Sequence, residues 1–168
     1  MPEKFRRHFL KAKDAKALLK KASEKLKVNL EQIFKAKATV ELVQTEFAEI
    51  YLINGKPSLV KIEDVFPTLV FNEFLALSPK VVVNMGAVPH ICNGANIMAP
   101  GITRFEGEFR KGDFVLVVDE KYGKPIAVGE IIYDVDVAKK ATHGIVVRNI
   151  HFVGDKIWNF IKQLEAKA

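Results

Sequence analysis

Residues 84–102, NMGAVPHICNGANIMAPGI, set Gly86, Gly94 and Gly101 with Pro89 and Pro100 among apolar side chains and carry almost no charge. Glycine lacks the Cβ that would hold a partner off the chain, so the stretch suits the close approach of something flat or narrow. A tight turn beside a core strand fits the same composition. Phe5, Arg6, Arg7 and Phe9 form a second group, because guanidinium ions beside aromatic rings suit phosphate and base contacts. Metal chemistry finds no support: His90 and Cys92 stand two apart, and neither His143 nor His151 completes a zinc pattern. No GxSxG elbow, phosphate loop ending in Gly-Lys-Ser/Thr, or dinucleotide fingerprint occurs. Asp113, Asp119, Glu120, Asp134 and Asp136 fall at strand ends or turns, where solubility accounts for them. Neither catalysis nor a cofactor is expected.

The net charge of +6 is unevenly placed along the 168 residues. Residues 1–30 hold ten Lys or Arg against three acids, a net of +7, and the rest of the chain is −1. A field localised in this way attracts phosphates and weakens steeply with salt. From Asp14 as N-cap, Ala15, Leu18, Leu19, Ala22 and Leu26 share one helical face. Lys13, Lys16, Lys20 and Lys27 fall on the opposite face and, with Arg6 and Arg7, make a basic patch, although a solvated lysine face has the same pattern. The single cysteine, Cys92, excludes an internal disulfide and fits a reducing cytosol, so a cytoplasmic location is expected. No apolar run approaches the ~20 residues of a membrane helix, and the first residues lack an apolar signal core.

Around these residues, patterning changes period. Phe34, Ala36, Ala38, Val40 and Leu42 alternate with polar neighbours, which predicts a strand. Phe47–Ile53 ends at Asn54-Gly55, the dipeptide suited to a tight hairpin, and Ser58–Ile62 returns as its partner. Pro67 is placed to start a helix running to Leu77. Ser78-Pro79 marks a boundary. Beyond it, Val81–Val83, Phe114–Val118, Ile126–Tyr133 and Ile145–Phe152 read as short strands of a nearly closed barrel. Asp155 can cap a last helix carrying Ile157, Trp158, Phe160, Ile161 and Leu164. The expectation is an α+β chain with a small domain over 1–77, a barrel over 78–153 and a packed helix over 154–168.

The blocks VVVNMGAVPHICNGANIMAPGI, RKGDFVLVVDE, GKPIAVGEIIYD and GIVVRNIHF, in that order over roughly 79–153, resemble a PUA domain, an RNA-binding module. The half before it resembles the pre-PUA domain of a stand-alone archaeal family. The pairing is similar to the malignant T-cell-amplified and translation machinery-associated proteins, with NGANIM at 93–98 and RNIHF at 148–152 as the matching blocks. The resemblance implies a PUA pseudo-barrel of mixed strands with short helices, and an RNA surface on three segments. The first supplies Gly86, Ala87, Val88, Pro89 and His90, with helix-start N–H groups open to an anion. The second supplies Gly94, Ala95, Asn96, Met98, Pro100 and Gly101, with Pro100-Gly101 read as a type II turn. The third supplies Arg148, Asn149 and His151. Asn96 and Asn149 would meet base edges or 2′-hydroxyls, and Arg104 would extend a phosphate track. The implied partners are tRNA or rRNA, the small ribosomal subunit or a translation factor, and no membrane. A protein–protein adaptor and the RNA-targeting subunit of a tRNA or rRNA modification enzyme are the alternatives.

Overall fold

Ala15, Leu19, Ala22 and Leu26 are all buried on one side of α1 (Ala12–Leu26) in the computed structural model, which describes residues 4–34 and 38–166. Lys11, not Asp14, is the N-cap of this helix and makes no side-chain bond to it. Asp14 lies inside the first turn, where its charge still complements the positive end of the helix dipole. The chain divides into two units, Met1–Phe74 and Leu75–Ala168.

The first unit is a five-stranded antiparallel sheet in the order β1-β2-β3-β4-β5 with α1 against β5 and against α2 (Leu30–Phe34). Its strands are β1 (Arg6–Phe9), β2 (Val40–Gln44), β3 (Glu49–Ile53), β4 (Lys56–Lys61) and β5 (Val65–Pro67). All four residues of β1 are exposed, so no alternation announces it. Asn54 and Gly55 take φ of 53° and 82°, the paired positive values of a type I′ hairpin turn, as their types demand. The strand expected from Phe34 starts only at Val40; Phe34 ends α2, and its ring stacks on Phe71 with centroids 5.7 Å apart. Lys35, Ala36 and Lys37 of that expectation lie outside the described residues. Pro67 does not open a helix. It closes edge strand β5, where no further strand needs its missing N–H, and α3 spans only Asn72–Leu75.

In the second unit, β6 (Lys80–Val83) leads through a 3-10 turn at Met85–Ala87 into α4 (Val88–Ile91). There follow β7 (Ile97–Met98), β8 (Ile102–Glu106), β9 (Phe114–Asp119), β10 (Pro125–Ile131), α5 (Val135–Lys140), β11 (Ile145–Phe152) and α6 (Lys156–Ala166). The sheet order is β7-β11-β10-β9-β6-β8, with β6 parallel to β9 and the other pairs antiparallel. Its two edge strands, β7 and β8, are joined by Ala99–Gly101 alone. A flat six-stranded sheet would hold those edges about 24 Å apart, whereas so short a connection reaches only about 14 Å. The sheet must therefore curl into a half-barrel, and Val81, Val83, Val115, Val117, Ile126, Val146 and Val147 fill it, with Ile91 and Ile97 among them. Asp155 caps α6 as expected: the Trp158 N–H donates to its Oδ1 at 2.7 Å, and Ile157, Phe160, Ile161 and Leu164 are buried.

Candidate nucleic-acid interface

Where β6 ends, Asn84 turns the chain. Its Oδ1 accepts the Ala87 N–H at 2.9 Å, and its own N–H donates to the Gly101 carbonyl at 2.9 Å. Pro89 sits near the start of α4, where its missing N–H costs no helical bond, and buried Ile91 ties that helix into the core. The loop after it folds back, with the Gly94 N–H on the Ile91 carbonyl and the Ala95 N–H on that of His90, both at 3.0 Å. Asn149 on β11 locks this loop. Its Nδ2 donates to the Ile91 and Ala95 carbonyls at 3.0 and 2.9 Å, and its backbone N–H donates to Asn96 Oδ1 at 3.0 Å.

The result is a continuous surface on which Gly86, Pro89, His90, Gly94, Ala95, Asn96, Met98 and Pro100 are exposed and Ala87, Val88 and Gly101 half-buried. Several roles assigned from the sequence change there. Asn149 spends both side-chain N–H bonds on the loop, so it shapes the surface instead of reading bases, and the exposed Asn96 helps to hold it by accepting the Asn149 N–H on Oδ1. His151 is fully buried, with Nδ1 2.7 Å from Asp155 Oδ2, and cannot meet RNA. Two of the helix-start donors are already taken. Ala87 N–H belongs to Asn84, and Met85 N–H points at Glu120 Oε1, 3.3 Å away, whose other oxygen accepts the Thr103 hydroxyl at 2.9 Å. Pro100-Gly101 is a 3-10 turn, and Gly101 lacks the positive φ of a type II turn. What its missing Cβ provides is room, since a Cβ there would sit 3.2 Å from that of Ala87.

The surface is also nearly neutral. Arg148 pairs with Glu130 across the β10–β11 ladder at 2.7 Å, and Arg104 with Glu106 at 3.3 Å. Burial pushes the Cys92 thiol up, against the opposing charge of Lys124, so it stays protonated and weakly nucleophilic. Among the described residues no group of three or more His, Cys, Asp or Glu is placed to hold a metal, and no helix is long and apolar enough to cross a membrane.

In the first unit, Lys13, Lys16, Lys20 and Lys27 are exposed as the helical spacing required. Lys16, Lys20 and Lys27 border an open hollow of about 600 Å3 that Ser23, Asn29, Glu24 and Glu31 also line. Arg6 is exposed, but Arg7 is largely spent: its Nε and Nη2 donate to the two oxygens of Glu41 at 2.7 and 2.8 Å. That bidentate bond holds the Glu41 carboxyl below the usual range and raises Arg7 in turn. Sequence reasoning missed Asn84, Thr103 and the bonding role of Glu120. An asparagine directly before a glycine-containing turn was the one signal on the page.

Residues 79–153 match the PUA domain family, and residues 6–72 match a domain of unknown function, DUF1947. An uncharacterized protein of Methanocaldococcus jannaschii is 40% identical over 157 residues, 92% of this chain and 96% of that one. Translation machinery-associated protein 20 of Saccharomyces cerevisiae is 29% identical over 154 residues, 86% and 85% of the two chains. The crystal structure of a PUA domain protein from Aeropyrum pernix K1, in complex with tartrate, covers 96% of this chain and 93% of its own at a TM-score of 0.81 and 26% identity. The second unit is thus a PUA domain, an RNA-binding class of module. The chain as a whole belongs to the family that joins a DUF1947, or pre-PUA, domain to a PUA domain and includes the malignant T-cell-amplified and translation machinery-associated proteins.

Proposed function

We propose that this chain is a non-enzymatic, cytoplasmic RNA-binding protein of translation that docks a structured RNA such as tRNA or rRNA. The domain over 1–77 supplies attraction and the domain over 78–153 supplies fit. One observation carries the reading: the exposed surface from Gly86 to Pro100 is rigidly bonded yet nearly uncharged, while the charge excess sits in residues 1–30. A surface of this kind suits the ribose and base faces of a folded RNA, and the lysines of α1 suit its phosphates. The likeness to translation machinery-associated protein 20 supports the translational setting.

Filter binding to tRNA and to small-subunit rRNA fragments across a salt series tests this. Binding at low salt is expected, and Lys16→Glu with Lys20→Glu should weaken it and flatten the slope of log K against log salt by about one to two. Absence of binding to every RNA at low salt overturns the reading.

Phe9, 65% exposed on the open edge of β1, favours a second reading in which the first unit takes a protein partner, on the small ribosomal subunit or among translation factors. A pull-down that survives nuclease would support it, and one that nuclease abolishes would not.

A further inference from the structure

Tyr122 stands at the tip of the β9–β10 hairpin and is 71% exposed, the most of any large apolar side chain among the described residues. A lone exposed ring is ordinary. This one is mounted on a rigid support. The buried Asp119 accepts the N–H groups of Tyr122 and Lys124 on its two carboxylate oxygens, and its carbonyl accepts the Gly123 N–H at 3.0 Å. The Tyr122 N–H above all holds that carboxyl below its usual range, so the support stays ionised at neutral pH. The ring therefore has only its own side-chain torsions to lose on binding.

Its surroundings are selective as well. Lys121 Nζ lies 5.1 Å from the ring centroid. Of the two acids beside the ring, Asp119 is spent on the turn's N–H groups and Glu120 is turned away toward Thr103 and the Met85 N–H. These same bonds, with the Glu120 N–H on the Val83 carbonyl, seat the hairpin beside the 3-10 turn that opens the candidate interface. Lys124 is near enough to α4 for its charge to act on Cys92. The tip thus offers an aromatic face and two cations at the border of an otherwise neutral RNA surface.

We propose that Tyr122 is a stacking platform for one unpaired nucleobase of the bound RNA, with Lys121 and Lys124 taking the phosphates that flank it. This rests on the RNA-binding reading. A ring face accepts any base, and flanking cations follow the backbone, which is how single-stranded RNA is held without sequence readout. A duplex end without an unpaired nucleotide has no base free to stack there.

The test is fluorescence anisotropy of the full chain with two labelled probes, a blunt RNA duplex and the same duplex carrying a four-nucleotide single-stranded tail. Tyr122→Ala should weaken the tailed probe about tenfold while leaving the blunt probe unchanged, as the loss of one stacked base requires. Tyr122→Phe, which keeps the ring, should bind both probes like the wild type. Lys121→Ala with Lys124→Ala should weaken the tailed probe and make its binding less salt-dependent. Equal affinity of wild type and Tyr122→Ala for the tailed probe overturns the stacking platform alone, as does an equal loss on both probes. If the wild type binds neither probe, the stacking platform is overturned, and the RNA-binding reading falls with it only if tRNA and the rRNA fragments also fail to bind at low salt.

Discussion

Asn149 ties the loop that carries the candidate interface to β11 through three hydrogen bonds. Its Nδ2 donates to two backbone carbonyls, that of Ile91, which also accepts the Gly94 N–H, and that of Ala95. Asn149→Ala should cost about 0.5–1.5 kcal/mol for each side-chain bond lost, the usual net worth of such bonds, read as a lower midpoint in urea denaturation. A midpoint equal to the wild type would mean that the loop holds itself. Arg148 and Arg104 make the opposite point: both are exposed cations of the expected type, and both already face a carboxylate. Their value to an RNA phosphate is therefore reduced by the partner each would leave.

At the level of elements, the β10–β11 ladder carries a bulge on its β11 side, at Ile150. The β10–β11 register shifts between Val128 and Gly129, and a Cβ on Gly129 would run into the Val147 side chain and the Arg148 backbone oxygen. Gly129→Val should destabilise the second unit by roughly 1–3 kcal/mol or more through overpacking, seen as a drop in thermal midpoint. An unchanged midpoint would show that β11 can shift at no cost. Other elements were differently legible. The Asn54-Gly55 hairpin and the Asp155 cap are short-range signals and appear where residue type placed them. β1 left no trace because all four residues are exposed, and Pro67 suits a helix start as well as an edge strand until the sheet around it is known.

Across the molecule, acid should be the main chemical threat to the fold. Asp155, Glu41 and Asp119 all have carboxyls held below their ordinary range. For Asp155, burial pushes upward, but the bonds from His151 and from the Trp158 and Phe152 N–H groups outweigh it. A group whose pKa is depressed on folding contributes stability that is complete above its unfolded value, about 4, and is lost as pH falls through the folded value. Stability is therefore expected to decline below about pH 4, and Asp155→Asn should flatten that decline while lowering stability at neutral pH. Denaturation midpoints measured from pH 2 to 7 check this; identical acid limbs for the two proteins would exclude Asp155 as a contributor.

The amino-acid sequence by itself determined what local order can carry: the lysine face of α1, the I′ hairpin, the four apolar strands and the capped helix of the second half, though not edge strands β7 and β8, and an uncharged glycine-proline surface between them. Each depends on residue types a few positions apart. Only the tertiary structure decided which polar groups are still available to a ligand. Asn149 reaches Asn96 across 53 positions, Met85 reaches Glu120 across 35, and Arg7 reaches Glu41 across 34. Such pairs exist through strand register and the curl of the sheet, and a slip of one residue would turn each side chain to the other face. His151 is buried and Tyr122 exposed for the same reason, because burial belongs to the assembled sheet and not to the residue.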